Sequence, residues 1–343
     1  MRELTYVGPG QVEWREAPAP RLEGDGQVLV RPIAVATCDL DAVIVRGLAP
    51  FPPPFPLGHE SVAEVVEIGD AVRTVRPGDR AVVPFQPACG ACGFCRRGFT
   101  ANCTAVPRTS MYGIGTAGGG WGGVLADTVR VPFADAMLVK LPAGVAPAAA
   151  ASAGDNIADG WRTVAPYLDE RPGAAVLILG GAGAGSVPLY AAAIALAIGA
   201  DRVYFHDTYA RRLEIARRLG AQPHPVSSWP KRLGSYPITV EACQDPDGLA
   251  CALRSTEPGG HCTSVSIYFG GAIPMPMTEM YMKGITFHTG RVHSRTVLPA
   301  VLSLLEARRI DPGLITTERA RWSDAAEAIL GYTTKLIIER EDG

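Results

Sequence analysis

The sequence predicts an α/β protein in which a β-rich, barrel-like part is followed by a doubly wound parallel sheet. Residues 1 to about 150 contain short β-like runs such as QVLVRPIAVA and SVAEVVEIG, separated by Pro- and Gly-rich turns. From about residue 150, apolar strands such as AAVLILGG and DRVYFHD alternate with helices such as GSVPLYAAAIALAIGA and YARRLEIARRLGA. This alternation is typical of a parallel sheet. After about residue 292 we expect two helices and a final strand, KLIIER.

Length, composition and charge narrow the class of protein. A chain of 343 residues exceeds what one hydrophobic core usually supports, so two domains are expected. A formal net charge of −2, with no basic run longer than two residues, argues against nucleic acid as the main partner. The longest apolar stretch, residues 174–200, is interrupted by glycines and Pro188, so we expect no membrane span. The first ten residues, MRELTYVGPG, lack the apolar core of a signal peptide, which favours a cytoplasmic location.

Four of the eight cysteines lie in ACGACGFCRRGFTANC, residues 88–103. Two disulfides, an iron–sulfur cluster, a zinc cage or simple burial would each account for cysteines, but the spacing with intervening glycines favours four thiolates around one zinc ion. Such a site is closed and leaves no position for substrate, so we interpret it as structural. The four expected ligands are Cys89, Cys92, Cys95 and Cys103.

A glycine-rich turn, GGAGAGS at Gly180–Ser186, joins the first apolar strand of the second part to its helix. Glycines at this point allow a pyrophosphate to approach the helix N-terminus. Asp207 ends the next strand, where a carboxylate would bind an adenosine ribose and repel a 2′-phosphate, which favours NAD over NADP. Arg211 and Arg212 follow Asp207 and could tolerate a 2′-phosphate. The alternative to a nucleotide-binding site is that the glycines only form a tight turn between strand and helix. The expected cofactor residues are Gly181, Gly183, Gly185, Ser186, Val187, Asp207 and Arg212.

The alignment of this turn with the usual fingerprint has two solutions. One reads Gly183-x-Gly185-x-x-Pro188, with proline in place of the third glycine. The other starts at Gly180 and puts Ala182 in the middle glycine's place. Both solutions remain open at this stage.

Further candidate ligands are scattered along the chain: Cys38, at the end of a β run in ATCDLD, and the pair His59–Glu60 in PLGHE. Taken together, GHE at 58–60, VRPGDRAVV at 75–83, the cysteine loop and the βαβ turn resemble the zinc-dependent medium-chain alcohol dehydrogenases. The resemblance covers essentially the whole chain. It implies a GroES-like catalytic domain at 1–153 with a structural zinc loop at 88–104, a Rossmann NAD-binding domain at 154–291, and a return to the catalytic domain at 292–343.

The resemblance also implies a catalytic zinc ion, making two zinc ions per chain. Cys38 and His59 match the first two zinc ligands of the family. Glu60 matches the acidic residue next to that histidine, and in the family this acid either supports a ligand or takes a ligand's place. Alignment of Trp161 with the aromatic residue that opens the first nucleotide-domain helix makes Asp155 the third ligand. Asp155 could instead cap that helix, in which case Glu60 or a water would be the third ligand.

The sequence departs from the family at the proton relay. Leu40 stands where the family has a hydroxyl residue, and Val43 stands where many members have a histidine. Neither side chain can carry a proton. His288 and His293 are the candidate substitutes. Leu40, Phe85 and Trp121 are expected to line the substrate pocket, which Leu40 makes more apolar than usual.

We therefore expect an oxidoreductase that transfers hydride between NAD(H) and a small alcohol or carbonyl compound, favouring an apolar substrate. The missing relay keeps open a reductase of an activated C=N or C=C bond. A polyol or sugar dehydrogenase and a non-enzymatic dinucleotide-binding protein are the remaining alternatives. We also expect a homo-oligomer, either a dimer or a tetramer.

Overall fold

The structure, a computed structural model, describes residues 1–181, 183 and 185–341. The chain divides into two compact units. The first comprises Met1–Ala158, Val292–Arg308 and Thr316–Gly343, and the second comprises Asp159–Arg291 and Arg309–Ile315. Residues 309–315 belong to the second unit, although the residues on either side of them belong to the first.

The described residues form sixteen strands and eleven α-helices. The strands are β1 (Arg2–Gly8), β2 (Gln11–Glu16), β3 (Val28–Ala36), β4 (Phe55–Pro56), β5 (Glu60–Ile68), β6 (Arg80–Val83), β7 (Val129–Val131), β8 (Val139–Lys140), β9 (Val176–Gly180), β10 (Val203–Asp207), β11 (Gln222–Pro225), β12 (Tyr236–Ala242), β13 (Thr256–Ser264), β14 (Thr286–Thr289), β15 (Glu318–Arg321) and β16 (Leu336–Glu339). The helices are α1 (Asp39–Val45), α2 (Gly93–Arg96), α3 (Ala134–Met137), α4 (Pro147–Ala150), α5 (Asn156–Glu170), α6 (Ser186–Ala197), α7 (Ala210–Leu219), α8 (Pro246–Ser255), α9 (Met277–Lys283), α10 (Ser294–Glu306) and α11 (Ala325–Gly331).

The first unit is built on two β-sheets. A seven-stranded sheet has the order β15-β16-β3-β5-β6-β8, with β7 also paired to β3. Every pair in it is antiparallel except β15–β16. Strand β3, VLVRPIAVA, is buried along nearly its whole length because it lies at the centre of this sheet. A smaller sheet has the order β2-β1-β4.

The second unit contains one parallel sheet with the order β11-β10-β9-β12-β13-β14. Strand β9, VLILG, is completely buried, as expected for an apolar run that is covered on both faces. The strand order reverses between β9 and β12, and the glycine turn follows β9 at this point. Ligands of open α/β sheets bind where the order reverses. The predicted fold class, a β-rich part followed by a doubly wound parallel sheet, is confirmed.

The sequence interpretation was wrong about the segment that contains Cys38. Strand β3 ends at Ala36, and Cys38 is the N-cap of helix α1 instead of the end of a β run. The Cys38 Sγ accepts a hydrogen bond from the Leu40 amide at 3.5 Å, and the Asp41 carboxylate accepts one from the Cys38 amide at 2.8 Å. This reciprocal capping favours a helix. The strands β1, β2 and β11 and the helices α8 and α9 were among the elements that the sequence pattern did not predict. In the described part of the chain, no helix combines the length and apolarity that a membrane span needs.

Candidate metal and cofactor sites

The loop at residues 89–103 brings its four cysteine sulfur atoms within 4.8 Å of one another. Backbone amides point at these sulfur atoms: the Cys92 amide donates to Cys89 Sγ at 3.3 Å and the Cys89 amide donates to Cys103 Sγ at 3.3 Å. The Cys95 amide, at the start of α2, lowers the pKa of the Cys92 thiol to about 5. Amide donors that stabilise thiolates, and four sulfur atoms at this separation, fit a tetrahedral zinc ion.

His293, a candidate for proton relay, belongs to the surroundings of this loop. Its Nδ1 accepts a hydrogen bond from the Ala101 amide at 3.2 Å, and its ring packs edge-on against Phe99 with the centroids 5.2 Å apart. Thr296 donates a hydrogen bond to the Gly98 carbonyl at 2.7 Å. The start of α10 therefore supports the cysteine loop. The other relay candidate, His288, lies on β14 in the second unit and packs against Tyr167, with the ring centroids 5.3 Å apart.

A second cluster in the first unit consists of Cys38, His59, Glu60 and Asp155, whose ligand atoms also lie within 4.8 Å of one another. Cys38 caps α1, Glu60 opens β5 with His59 just before it, and Asp155 directly precedes α5. His59, Glu60 and Asp155 are buried, and Cys38 is half-buried. The structure thus assembles the four residues that the family resemblance implies from three separate parts of the sequence.

His59 is the centre of this cluster. Its Nε2 lies 3.3 Å from Asp155 Oδ2, and its Nδ1 lies 3.5 Å from Asp41 Oδ1. Burial alone would lower the pKa of His59, but Asp41 and then Asp155 raise it to about 9. Within the described residues, neither ring nitrogen has a hydrogen-bond partner. A buried nitrogen without a partner, facing a carboxylate and a thiol, is the arrangement that a metal ion would complete.

The charges of the cluster also fit a cation. Burial and the carboxylates of Asp155 and Glu60 raise the pKa of the Cys38 thiol well above its ordinary value. Burial likewise raises the pKa of Glu60 to about 8, although Lys335 opposes the shift. Several acidic groups are therefore held together out of water, and a divalent cation would offset their repulsion. One sulfur, one imidazole and carboxylate oxygens are a donor set that zinc accepts.

Two buried residues that the sequence analysis missed connect the cluster. Lys335, immediately before β16, is completely buried and donates hydrogen bonds to the Thr37 carbonyl and to Asn156 Oδ1, the latter at 2.5 Å. Its Nζ also lies 3.4 Å from Glu60 Oε1. Asn156, the first residue of α5, is buried as well and donates from Nδ2 to Cys38 Sγ at 3.2 Å. A lysine next to the wholly apolar run LII was the available signal, since lysine is almost never buried without a partner.

The three expected pocket residues lie in different surroundings. Leu40 follows Cys38 in the first turn of α1, and the Phe85 ring lies 6.1 Å from the His59 ring, centroid to centroid. Trp121 donates a hydrogen bond to Ser110 Oγ at 3.2 Å and lines a cavity of about 380 Å³ together with Met1 and other residues. No ligand of either cysteine-containing cluster lines that cavity.

In the second unit, the glycine turn follows β9 and leads into α6, where Ser186 and Val187 are both buried. Gly183 and Gly185 have φ values of 71° and 76°, in the left-handed region. A Cβ on Gly185 would lie 2.6 Å from the Arg212 side chain, so glycine is required there. Gly181 lies within the described part of the turn, whereas Ala182, the middle residue of the second fingerprint alignment, lies outside the described residues.

Asp207 ends β10 as predicted and is completely buried. It accepts hydrogen bonds from Nε and Nη2 of Arg212, each at 2.8 Å, and from the Tyr209 amide at 2.8 Å. Arg212 also donates to the carbonyls of Gly181 and Gly183. The guanidinium of Arg212 is therefore committed to Asp207 and the glycine turn, whereas Arg211 is exposed.

The chain is similar to known proteins along nearly its whole length. Residues 24–143 match the family model described as "Alcohol dehydrogenase GroES-like domain". A Mycobacterium tuberculosis protein named "probable zinc-binding alcohol dehydrogenase" is 31% identical over 339 residues, covering 97% of this chain and 85% of that protein. The geraniol dehydrogenase of Castellaniella defragrans is 28% identical over 351 residues, covering 94% and 91% of the two chains. The solved structure of an alcohol dehydrogenase from Thermus sp. ATN1 is 29% identical, with a TM-score of 0.88 over 99% of this chain and 100% of that one.

Proposed function

The chain belongs to the zinc-dependent medium-chain alcohol dehydrogenase family, and from this premise we propose that it transfers hydride between NAD(H) and an apolar alcohol or the corresponding carbonyl compound. The observation that carries the proposal is the convergence of Cys38, His59, Glu60 and Asp155 within 4.8 Å. When bound there, a zinc ion would polarise the substrate oxygen and lower the pKa of an alcohol. The loop of four cysteines would hold a second, structural zinc ion.

We assign Cys38, His59 and Asp155 as the zinc ligands. Asp155 Oδ2 faces His59 Nε2 at 3.3 Å, which supports a ligand role for the carboxylate over a role as helix cap alone. Glu60 lies beside the set, because its carboxylate is shared with Lys335 and the Asn156 amide. Asp41 Oδ1 lies 3.5 Å from His59 Nδ1 on the opposite side of the ring, the position from which a carboxylate can orient a metal-bound histidine.

The substrate preference follows from the side chains near Cys38. Leu40 and Val43 offer neither a donor nor an acceptor, so the chain has no hydroxyl at the family position that binds a substrate oxygen. Phe85, buried beside His59, adds apolar surface. Transfer from water into such surroundings costs less free energy for an apolar alcohol than for a polyol, because the additional hydroxyl groups of a polyol would lack hydrogen-bond partners. The relative that acts on geraniol is consistent with this preference.

The preference for NAD rests on Asp207 at the end of β10. Asp207 is completely buried and binds Arg212 with both carboxylate oxygens, so the Arg212 guanidinium is committed to Asp207 and two glycine carbonyls of the turn instead of to a 2′-phosphate. We propose that Gly181, Gly183, Gly185, Ser186 and Val187 surround the pyrophosphate. We also propose that the enzyme works as a homo-oligomer, either a dimer or a tetramer, in the cytoplasm.

The experiment compares alcohol oxidation by the purified protein with NAD and with NADP, using apolar primary and secondary alcohols and one polyol. We expect oxidation of apolar alcohols with NAD, loss of activity with a chelator, and recovery with zinc. Asp155→Asn should lose zinc from one of two sites and most of its turnover, whereas NADH affinity should remain. Because asparagine caps a helix about as well as aspartate, a nearly silent substitution would make Asp155 a cap only.

A reductase of an activated C=C or C=N bond is the second candidate, favoured by the absence of the relay side chains at Leu40 and Val43. Such a reaction does not require a proton to pass to a zinc-bound oxygen. An enzyme that reduces an enone or an imine with NADH, and oxidises none of the alcohols at any pH, would support this candidate and contradict the first.

A further inference from the structure

Asn156 touches three of the four residues of the Cys38 cluster. Its Nδ2 donates to Cys38 Sγ at 3.2 Å and lies 3.3 Å from Asp155 Oδ2. Its backbone amide donates to Glu60 Oε2 at 3.3 Å. The residue is 1% exposed, so these contacts are made out of water, where a hydrogen bond to a charged acceptor is strong.

Lys335 determines which way the Asn156 amide points. The Lys335 ammonium can only donate, and it lies 2.5 Å from the Asn156 side chain, so the oxygen Oδ1 must face it. The amino group Nδ2 is then directed at Cys38 and Asp155. Lys335 is itself held by the Thr37 carbonyl and Glu60. The orientation of the amide therefore follows from the chemistry of its partners.

We propose that Asn156 is a positioning residue for the catalytic zinc ion. Through the two N–H groups of its side-chain amide, Asn156 holds the Cys38 thiolate and the Asp155 carboxylate in ligand geometry. This inference rests on the proposed function, since it assumes zinc at this cluster. A neutral amide suits the position because it supplies donors without adding another negative charge to Cys38, Glu60 and Asp155. An N–H donor to sulfur also stabilises the lone pairs of the thiolate, which makes Cys38 a weaker electron donor to the metal.

The test uses the full-length protein and the isosteric variant Asn156→Leu. The zinc dissociation constant of the Cys38 site, measured by competition with a chelator, should rise about 10–100-fold, the usual effect of removing a partner of a metal ligand. With cobalt in place of zinc, the thiolate-to-metal charge-transfer band should move to longer wavelength. The four-cysteine loop also absorbs, so each spectrum is taken as the difference from the same protein carrying Cys38→Ser.

Thr163→Val is the matched control, because it removes a buried hydrogen bond of the same helix, from Thr163 Oγ1 to the Gly160 carbonyl, without touching the cluster. It should leave the dissociation constant and the band unchanged. Asn156→Asp serves if Asn156→Leu does not fold. It keeps an acceptor for Lys335 but cannot donate to sulfur, and its added charge also raises the energy of the thiolate lone pairs, so the band must again move to longer wavelength.

The possible failures are distinguishable. If the wild type shows no difference from Cys38→Ser in metal content or spectrum, the proposed zinc site itself is refuted. If the wild type binds metal at Cys38, and the Asn156 variants keep its affinity and its band, only the role of Asn156 is overturned.

Discussion

Lys335→Met tests whether the buried ammonium group stabilises the first unit through its contacts with Glu60, Thr37 and Asn156. Both side chains are completely buried, and Lys335 Nζ lies 3.4 Å from Glu60 Oε1. Methionine has a similar length and fills the space, so the substitution mainly removes the charge and the donors to Thr37 and Asn156. The pKa of Glu60, which burial already raises to about 8, would then rise further, so Glu60 would stay buried as a neutral acid while the Thr37 carbonyl and Asn156 Oδ1 would lose their donor.

The magnitude follows from the two lost donors. A buried acceptor left without its donor costs about 1–3 kcal/mol, so the Thr37 carbonyl and Asn156 Oδ1 together account for about 2–6 kcal/mol. The free energy of unfolding of the first unit should fall by that amount. For a unit of this size, about 1 kcal/mol moves the thermal midpoint by about 2–4 °C, so a decrease of roughly 10 °C is expected.

Thermal denaturation at a fixed free zinc concentration is the assay, since bound metal shifts the midpoint by mass action. The double variant Lys335→Met/Asn156→Leu is the control, because it removes the donor together with one of its acceptors, so its loss should be smaller than the sum of the two single losses. A loss below about 1 kcal/mol for Lys335→Met alone, the range of exposed ion pairs, would refute the reasoning. So would a double variant whose loss equals that sum.

Three further predictions address other parts of the molecule. Cys92→Ser should reduce the zinc content, measured by elemental analysis, from two ions per chain to one and lower the thermal midpoint, since a closed thiolate site stabilises the fold directly; an unchanged midpoint would contradict a structural role. Burial, with a contribution from His224, lowers the pKa of His206 from 6.5 to about 4, so protons bind the unfolded chain more tightly. Stability is therefore complete above pH 6.5, falls by at most about 3 kcal/mol as the pH drops from 6.5 to about 4, and then levels off. Denaturant titrations at several pH values should show this loss in the wild type but not in His206→Gln, and parallel curves would disprove the assignment. In Gly160→Ala, the new Cβ would lie 2.8 Å from the Ala191 amide nitrogen, so we expect a destabilisation of about 1–3 kcal/mol despite the better helix propensity of alanine. Gly331→Ala, also helical but with open space around it, should be neutral or stabilising.

The sequence by itself was sufficient for the features that depend on short separations along the chain. The four cysteines of the loop lie within residues 89–103, so their spacing alone indicates that the sulfur atoms can meet. The same holds for the apolar strand β9, the glycine turn after it, and Asp207 at the end of the next strand. The covalent chain limits how far apart such groups can be. Local periodicity and residue spacing were therefore enough to predict the cysteine loop, the strand, the glycine turn and the position of Asp207.

The family resemblance named the Cys38 cluster, but the surroundings of each site depended on the tertiary structure. Arg212, at the start of α7, binds the carbonyls of Gly183 and Gly181, which lie 29 and 31 residues before it in the sequence. His293 supports the cysteine loop from 192 residues away in the sequence. Neither side chain shows its partner in the local sequence pattern.

Lys335 illustrates the physical reason. Strand β16 pairs antiparallel with β3, with Ile337 opposite Ala36 and Ile338 opposite Val35. This register carries Lys335, just before β16, to the Thr37 carbonyl, which is 298 residues away in sequence and adjacent to Cys38. A shift of one residue would turn the Lys335 side chain to the other face of the sheet. The chemistry of the ligands could be inferred from the sequence, whereas the buried cation and the amide that hold them are determined by which distant strands pair and in which register.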